Sequence, residues 1–160
     1  MRAQNTPILY CLGAMIAFGV IAWLAYSPLA TQAVADNCPG RTPAEVVQAY
    51  YTASAQGNID RAQACLTTQY REQLRTVVDP LWQNLATVTF TRIDEQAVEL
   101  NTLPDGVPRS VARATQVFLS YAAQWRVETT EQNGPALAFI YLVQATDDAP
   151  WRIASIGTGP

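Results

Sequence analysis

The sequence predicts an α+β domain behind a single apolar N-terminal segment, and three observations carry that prediction. An uncharged run from Ile8 to Ala25 opens the chain; helically spaced apolar residues follow from Thr42 to about Leu85; and a two-residue alternation takes over from Thr87. Helices first and a succession of strands afterwards is the order of domains whose helices pack on one face of an antiparallel sheet. Residues 1–35 are accordingly assigned to a membrane anchor or signal segment with an apolar helix over 8–27, 36–41 to a tether, and 42–160 to the α+β domain.

The opening run is long enough to cross a bilayer, since a helix of its length covers about 27 Å. Arg2 is the one charged residue before it, which leaves the N-terminus on the cytoplasmic side and exports the remainder. Tyr10, Trp23 and Tyr26 fall where aromatic rings favour the membrane interfaces. A second reading stays open. Ala33-Val34-Ala35 before Asp36 is a small-x-small cleavage pattern, which would release the domain after Ala35 as a secreted protein. The run exceeds the ~7–15 residues of an ordinary signal core, which favours retention as a single-pass anchor with an extracytoplasmic C-terminal domain.

Thr42-Pro43-Ala44-Glu45 is a capping box with proline at the first helical position, so a helix should run over 43–56, with Val46, Val47, Tyr50, Ala53 and Ser54 on one face. Gly57 is placed to end it in a left-handed conformation. A short helix over 58–66 should follow, capped by Asn58, with Ile59, Ala62, Cys65 and Leu66 inward. Thr67 or Thr68 caps a third, carrying Tyr70, Leu74, Val77 and Val78. Asp79-Pro80 interrupts it before one further turn with Leu81, Trp82 and Leu85.

Thr87 to Ile93 alternates as a half-buried strand, and Ala97-Val98-Glu99-Leu100 either prolongs it or forms another. Leu103 to Pro108 is a turn by composition. Val111 to Val127 keeps its odd positions mainly apolar, and a strand so long is expected to bend or bulge. Ala136 to Val143 is apolar on both faces, which places it centrally in the sheet. Trp151 to Ile156 forms the last strand.

Composition excludes more than it proposes. All ten cationic side chains are arginine, against thirteen Asp plus Glu, and histidine is absent. Imidazole acid–base catalysis, histidine metal ligation and lysine Schiff-base chemistry are therefore closed to the isolated chain. The acidic balance gives no basic stripe for nucleic acid. No cofactor motif and no metal-ligand set stands out, since the adjacent Asp147 and Asp148 supply too few oxygens for calcium. Cys38 and Cys65 form an even pair that an oxidising compartment would join, provided the first two helices fold back antiparallel. The alternative is two reduced thiols, one exposed and one buried. Their spacing excludes a CxxC redox motif or a zinc knuckle.

The succession of elements resembles the NTF2-like superfamily, a cone-shaped fold. The residues that carry the resemblance are Thr42 to Tyr51, the break Gln56-Gly57-Asn58-Ile59-Asp60, the start of the third helix at Leu66 to Arg71, and the terminal Trp151 to Gly157. It covers about 42–157. It implies N-terminal helices on a curved antiparallel sheet with a pocket between them. Tyr50 and Tyr51 from the first helix, and Tyr121, Trp125, Tyr141 and Trp151 from the strands, are then its candidate lining, or alternatively core fillers. Arg113 falls on the apolar face of the long strand, near its start, which makes it an exposed edge residue or, alternatively, places it to pair with Glu99 or Asp94 or to hold a carboxylate ligand. The strand carboxylates Asp94, Glu99 and Glu128 match no catalytic position of that superfamily, so no catalytic residue is assigned.

The expectation is a non-enzymatic, extracytoplasmic binding or assembly module, tethered to a membrane and acting as a homodimer or as part of a protein complex. The alternative is a small isomerase- or dehydratase-like enzyme holding an apolar ligand in the cone.

Overall fold

The computed structural model describes residues 38–76, 81–127 and 132–158, all within the unit Asp36–Pro160. The helix expected over 8–27 lies outside the described residues, as do Val77 and Val78, expected in the third helix, and the break expected at Asp79-Pro80. Among the described residues no helix is long and apolar enough to cross a membrane. The described residues form an α+β architecture, with four α-helices and a four-stranded open antiparallel sheet in the order β1-β2-β3-β4.

Helix α1, Pro43–Ala55, forms as its cap dictates. Thr42 Oγ1 accepts from Glu45 N at 3.3 Å, and the Glu45 carboxylate accepts from Thr42 N at 3.1 Å and Arg41 N at 2.6 Å. Those two backbone donors hold the Glu45 pKa below its ordinary value. A further orphan donor, Ala44 N, is taken by Glu95 of the first strand at 2.8 Å. This carboxylate both satisfies the helix terminus and favours its positive end. One face, carrying Val46, Val47, Tyr50, Tyr51, Ala53 and Ser54, is buried. Gly57 then turns the chain at φ +68°, a conformation that glycine adopts without steric cost.

Helix α2, Ile59–Ala64, starts from Asn58 as expected but is shorter. Six residues make fewer than two turns, and the buried surface is taken by Ala62, Ala64 and Cys65. Ile59, expected inward, is 41% exposed. Helix α3, Thr68–Leu74, is capped by Thr67, and α4, Leu81–Asn84, is a single turn. Leu85, expected in that turn, instead opens the sheet.

Strand β1 runs without interruption from Leu85 to Ala97, and Leu100 belongs to a 3-10 turn, Leu100–Thr102, rather than to a strand. Strand β2, Arg113–Trp125, buries Thr115, Val117, Leu119, Tyr121, Ala123 and Trp125 on its odd face, as its alternation requires. The expected irregularity exists but lies on the other strand. β2 pairs residue for residue with β3, Gly134–Gln144, whereas β1 slips register between Leu85 and Thr87 and between Phe90 and Arg92. Strand β3 is interior, as its two apolar faces predict, and β4, Arg152–Thr158, closes the sheet.

The β4 edge is covered. Ile153 N donates to Cys65 O at 2.9 Å, Thr67 N to Ile153 O at 2.8 Å, and Ile156 N to the Tyr70 hydroxyl at 3.1 Å. Such cover removes the free donors that make an edge sticky. Cys65 also forms a disulfide with Cys38, so the segment leading into α1 is fastened to the strand-bearing core. The helical face of the sheet closes over one cluster that includes Tyr50, Tyr51, Leu66, Trp82, Leu119, Ile140 and Ile153. A smaller cluster of Leu103, Val107, Ala114, Val143 and Ala154 sits under the 3-10 connection.

Candidate functional site

Of the six aromatic residues expected to line a pocket, Tyr50, Tyr51, Tyr121 and Trp125 are buried. Tyr50, at 1% exposure, and Tyr121, at 4%, belong to a packed aromatic core around Tyr51. Ring centroids lie 5.5 Å apart for Tyr50–Tyr51 and 5.1 Å for Tyr51–Tyr121, both edge-on, the arrangement that aromatic quadrupoles favour. The Tyr51 and Tyr121 side chains are hydrogen-bonded to each other, and burial raises the pKa values of Tyr50 and Tyr51 far above that of a free phenol. Trp125 is buried and its indole N–H donates to Gln132 O at 3.2 Å. Tyr141 stands on the opposite face of the sheet, half-buried against the smaller cluster.

Arg113, exposed at the start of β2, pairs with neither Glu99 nor Asp94. Its Nε and Nη2 both reach Asp147 Oδ1 at 3.1 Å, while Asp94 takes Arg92 at 2.6 Å. The β3–β4 turn brings Asp147 to the start of β2, because the buried Gln144 amide donates to Asp147 O at 3.0 Å and to Ala149 O at 2.7 Å. The turn itself is local, but its approach to Arg113 depends on the β2–β3 register that sets Arg113 opposite Gln144, a relation between strands with no local signal in the sequence.

Among the described residues, two of the features open to solvent bear on function. The first is the sheet face turned away from the helices. Cross-strand pairs there are Gln116–Tyr141, Phe118–Phe139, Ser120–Leu137 and Ala122–Pro135. Phe118 and Phe139 stack edge-on at 5.4 Å, Leu137 is 56% exposed, and Ala122 and Pro135 are exposed beside them. The alternation of β3 predicted a second apolar face, and these residues are that face. The second feature is a cleft of about 450 Å³ where the end of β1 and the start of β2 meet the first turn of α1. Pro43, Glu95, Ala97, Glu99, Arg113 and Trp151 are among its lining residues. Of the residues expected to line a pocket, Arg113 and Trp151 line it. Among the described residues no group of three or more His, Cys, Asp or Glu is placed to hold a metal ion.

An open antiparallel sheet with helices on one face and an aromatic, closed interior defines a small α+β domain whose solvent-facing features lie on its surface. The chain belongs to the family described as Domain of unknown function (DUF4829), whose model matches residues 44–157. No curated protein and no solved structure matches the chain.

Proposed function

We propose that this domain is a non-enzymatic binding or assembly module with an NTF2-like curved sheet, held outside the cytoplasm by its N-terminal apolar segment and working as a homodimer through the outer face of the sheet. The observation that carries the reading is the apolar strip of Phe118, Phe139, Leu137, Ala122 and Pro135 on the sheet face opposite the α-helices of the described residues. Leaving such a strip in water costs roughly 25 cal/mol per Å² of apolar surface that a second copy would bury. A twofold interface needs a self-complementary patch, and a strip of aliphatic and aromatic side chains with polar Gln116 and Ser120 between them meets that need without opposing like charges.

The aromatic interior also supports a binding role over a pocket-based one, since Tyr50, Tyr51 and Tyr121 occupy the space in which an isomerase would hold its substrate. The Cys38–Cys65 disulfide and the uncharged run Ile8–Ala25 both suit an exported domain.

The test is site-specific photocrosslinking of the full chain in native membranes, with the reactive residue at position 137 and, as control, at exposed Gln48 on α1. The proposal expects an adduct of twice the chain mass from position 137 and none from 48. Equal labelling at both positions, or none at 137, would refute it. A reporter fused behind Pro160 and active only in the cytosol would refute the exported location.

A further inference from the structure

We infer that the cleft at the β1–β2 end is a binding site for a small organic cation with an apolar body, a primary ammonium being the simplest. The proposal goes beyond the sheet-face interface and does not depend on it. The cleft volume of about 450 Å³ lies in the range of pockets that take small ligands. Its walls are largely apolar, from Pro43, Ala97 and the half-buried Trp151. Three charged side chains border it, and their charges do not cancel locally. Arg113 is already matched by Asp147, with two contacts at 3.1 Å. Glu95 gives one oxygen to Ala44 N at 2.8 Å, a neutral donor that leaves its charge in place. The Glu99 carboxylate makes no ion pair or hydrogen bond among the described residues.

Two carboxylates beside an indole, Glu95 at the positive end of α1 and Glu99 with no side-chain partner among the described residues, favour a cation over an anion. The ammonium group would meet Glu99 and Glu95, and the indole face adds attraction for the same charge. The apolar body would cover Ala97 and Pro43. A free carboxylate ligand would have to displace Asp147 from Arg113 while facing two glutamates, and a neutral ligand would leave their charges unanswered.

The experiment uses the full chain labelled with 5-fluorotryptophan in a non-ionic detergent, titrated with 2-phenylethylammonium, 2-phenylethanol and 3-phenylpropanoate. Trp151 is assigned by loss of its resonance in Trp151→Phe, and the buried Trp82 and Trp125 report unspecific change. The expected result is a saturable shift of the Trp151 resonance by the ammonium, at a midpoint roughly fivefold below that of the alcohol, the scale of one exposed charge pair. Glu99→Gln should erase most of that difference. Glu99→Lys should turn the preference toward the carboxylate. The Glu99 side chain holds no other described residue, and its bonds to Thr102 run through the backbone carbonyl, so both variants should keep the Trp82 and Trp125 resonances in place. An unmoved Trp151 resonance, an alcohol or carboxylate midpoint equal to or below that of the ammonium, or a midpoint unchanged in Glu99→Gln would overturn the assignment.

Discussion

Arg126 ties three segments with one side chain. Its guanidinium donates to Gln83 O at 3.1 Å, Leu85 O at 2.7 Å and Ala55 O at 3.1 Å, so it finishes the C-terminus of α1 and fixes where α4 gives way to β1. Cationic donors at a helix C-terminus satisfy orphan carbonyls and favour the negative end of the dipole. Arg126→Gln is expected to lower unfolding free energy by about 1–2 kcal/mol, read from the midpoint of a urea transition. Arg113→Gln, which breaks only the exposed pair with Asp147, should change it by less than ~0.5 kcal/mol. Comparable losses would remove the distinction. The capping box of α1 was legible in four adjacent residues, whereas Arg126 was not, because its partners lie 41, 43 and 71 positions away. The residues also set the alkaline limit. Burial raises the pKa values of Tyr50, Tyr51 and Tyr70, so above the unfolded phenol value near 10 the unfolded chain loses protons that the folded chain keeps. Stability is therefore full below pH 10 and falls as pH rises further. A spectrophotometric titration should show these phenols ionising only as the chain unfolds, and reversible ionisation of every tyrosine in the folded state would contradict this. Glu45 acts at the other end, with a lowered pKa whose stabilisation is present above the unfolded carboxylate value and is lost as pH falls through the folded one.

The elements are held together at their ends. The disulfide joins residues 27 positions apart, and on the chain-entropy estimate its closure stabilises the fold by about 3.5 kcal/mol. A Cys38→Ala/Cys65→Ala double variant should therefore shift the urea midpoint down by that scale, and added reductant should shift the wild type equally but leave the variant unmoved. A wild type indifferent to reductant would show that the bridge contributes little. The cysteine pair was readable from parity and from the hairpin expected of α1 and α2. What the pairing adds, a junction where Cys65 also accepts from Ile153 of β4, was not, since it joins segments far apart in sequence. The same contrast holds along the sheet. The alternation of β2 displayed its buried face directly, because period two is a property of one strand. The register slips on β1 were invisible and were assigned to the wrong strand, because a bulge is a relation between two strands. Ile59 misled for a similar reason: helical spacing marks a face, but a helix of six residues has no room to bury all of it.

For the whole molecule, the sequence displayed an α+β order and a β3 strand with two apolar faces, and the fold turns one of those faces to the helices and the other to solvent. The aromatic side chains of Tyr50, Tyr51 and Tyr121, expected as a concave lining, pack against one another. Tyr50, Tyr51 and Tyr121 fill the interior, and the surface carries what remains. Leu137 stands at the centre of the exposed strip, opposite Ser120, and its side chain is more than half exposed, so a charge there should leave the fold intact while placing two like charges close together at a twofold contact. Sedimentation equilibrium of the full chain in density-matched detergent, wild type beside Leu137→Asp, addresses the outer face most directly. A wild-type dimer and a Leu137→Asp monomer with the same thermal transition is the outcome expected. A wild type that stays monomeric across the concentration range, or a variant that dimerises as strongly, would contradict the proposal that this face joins two copies of the chain.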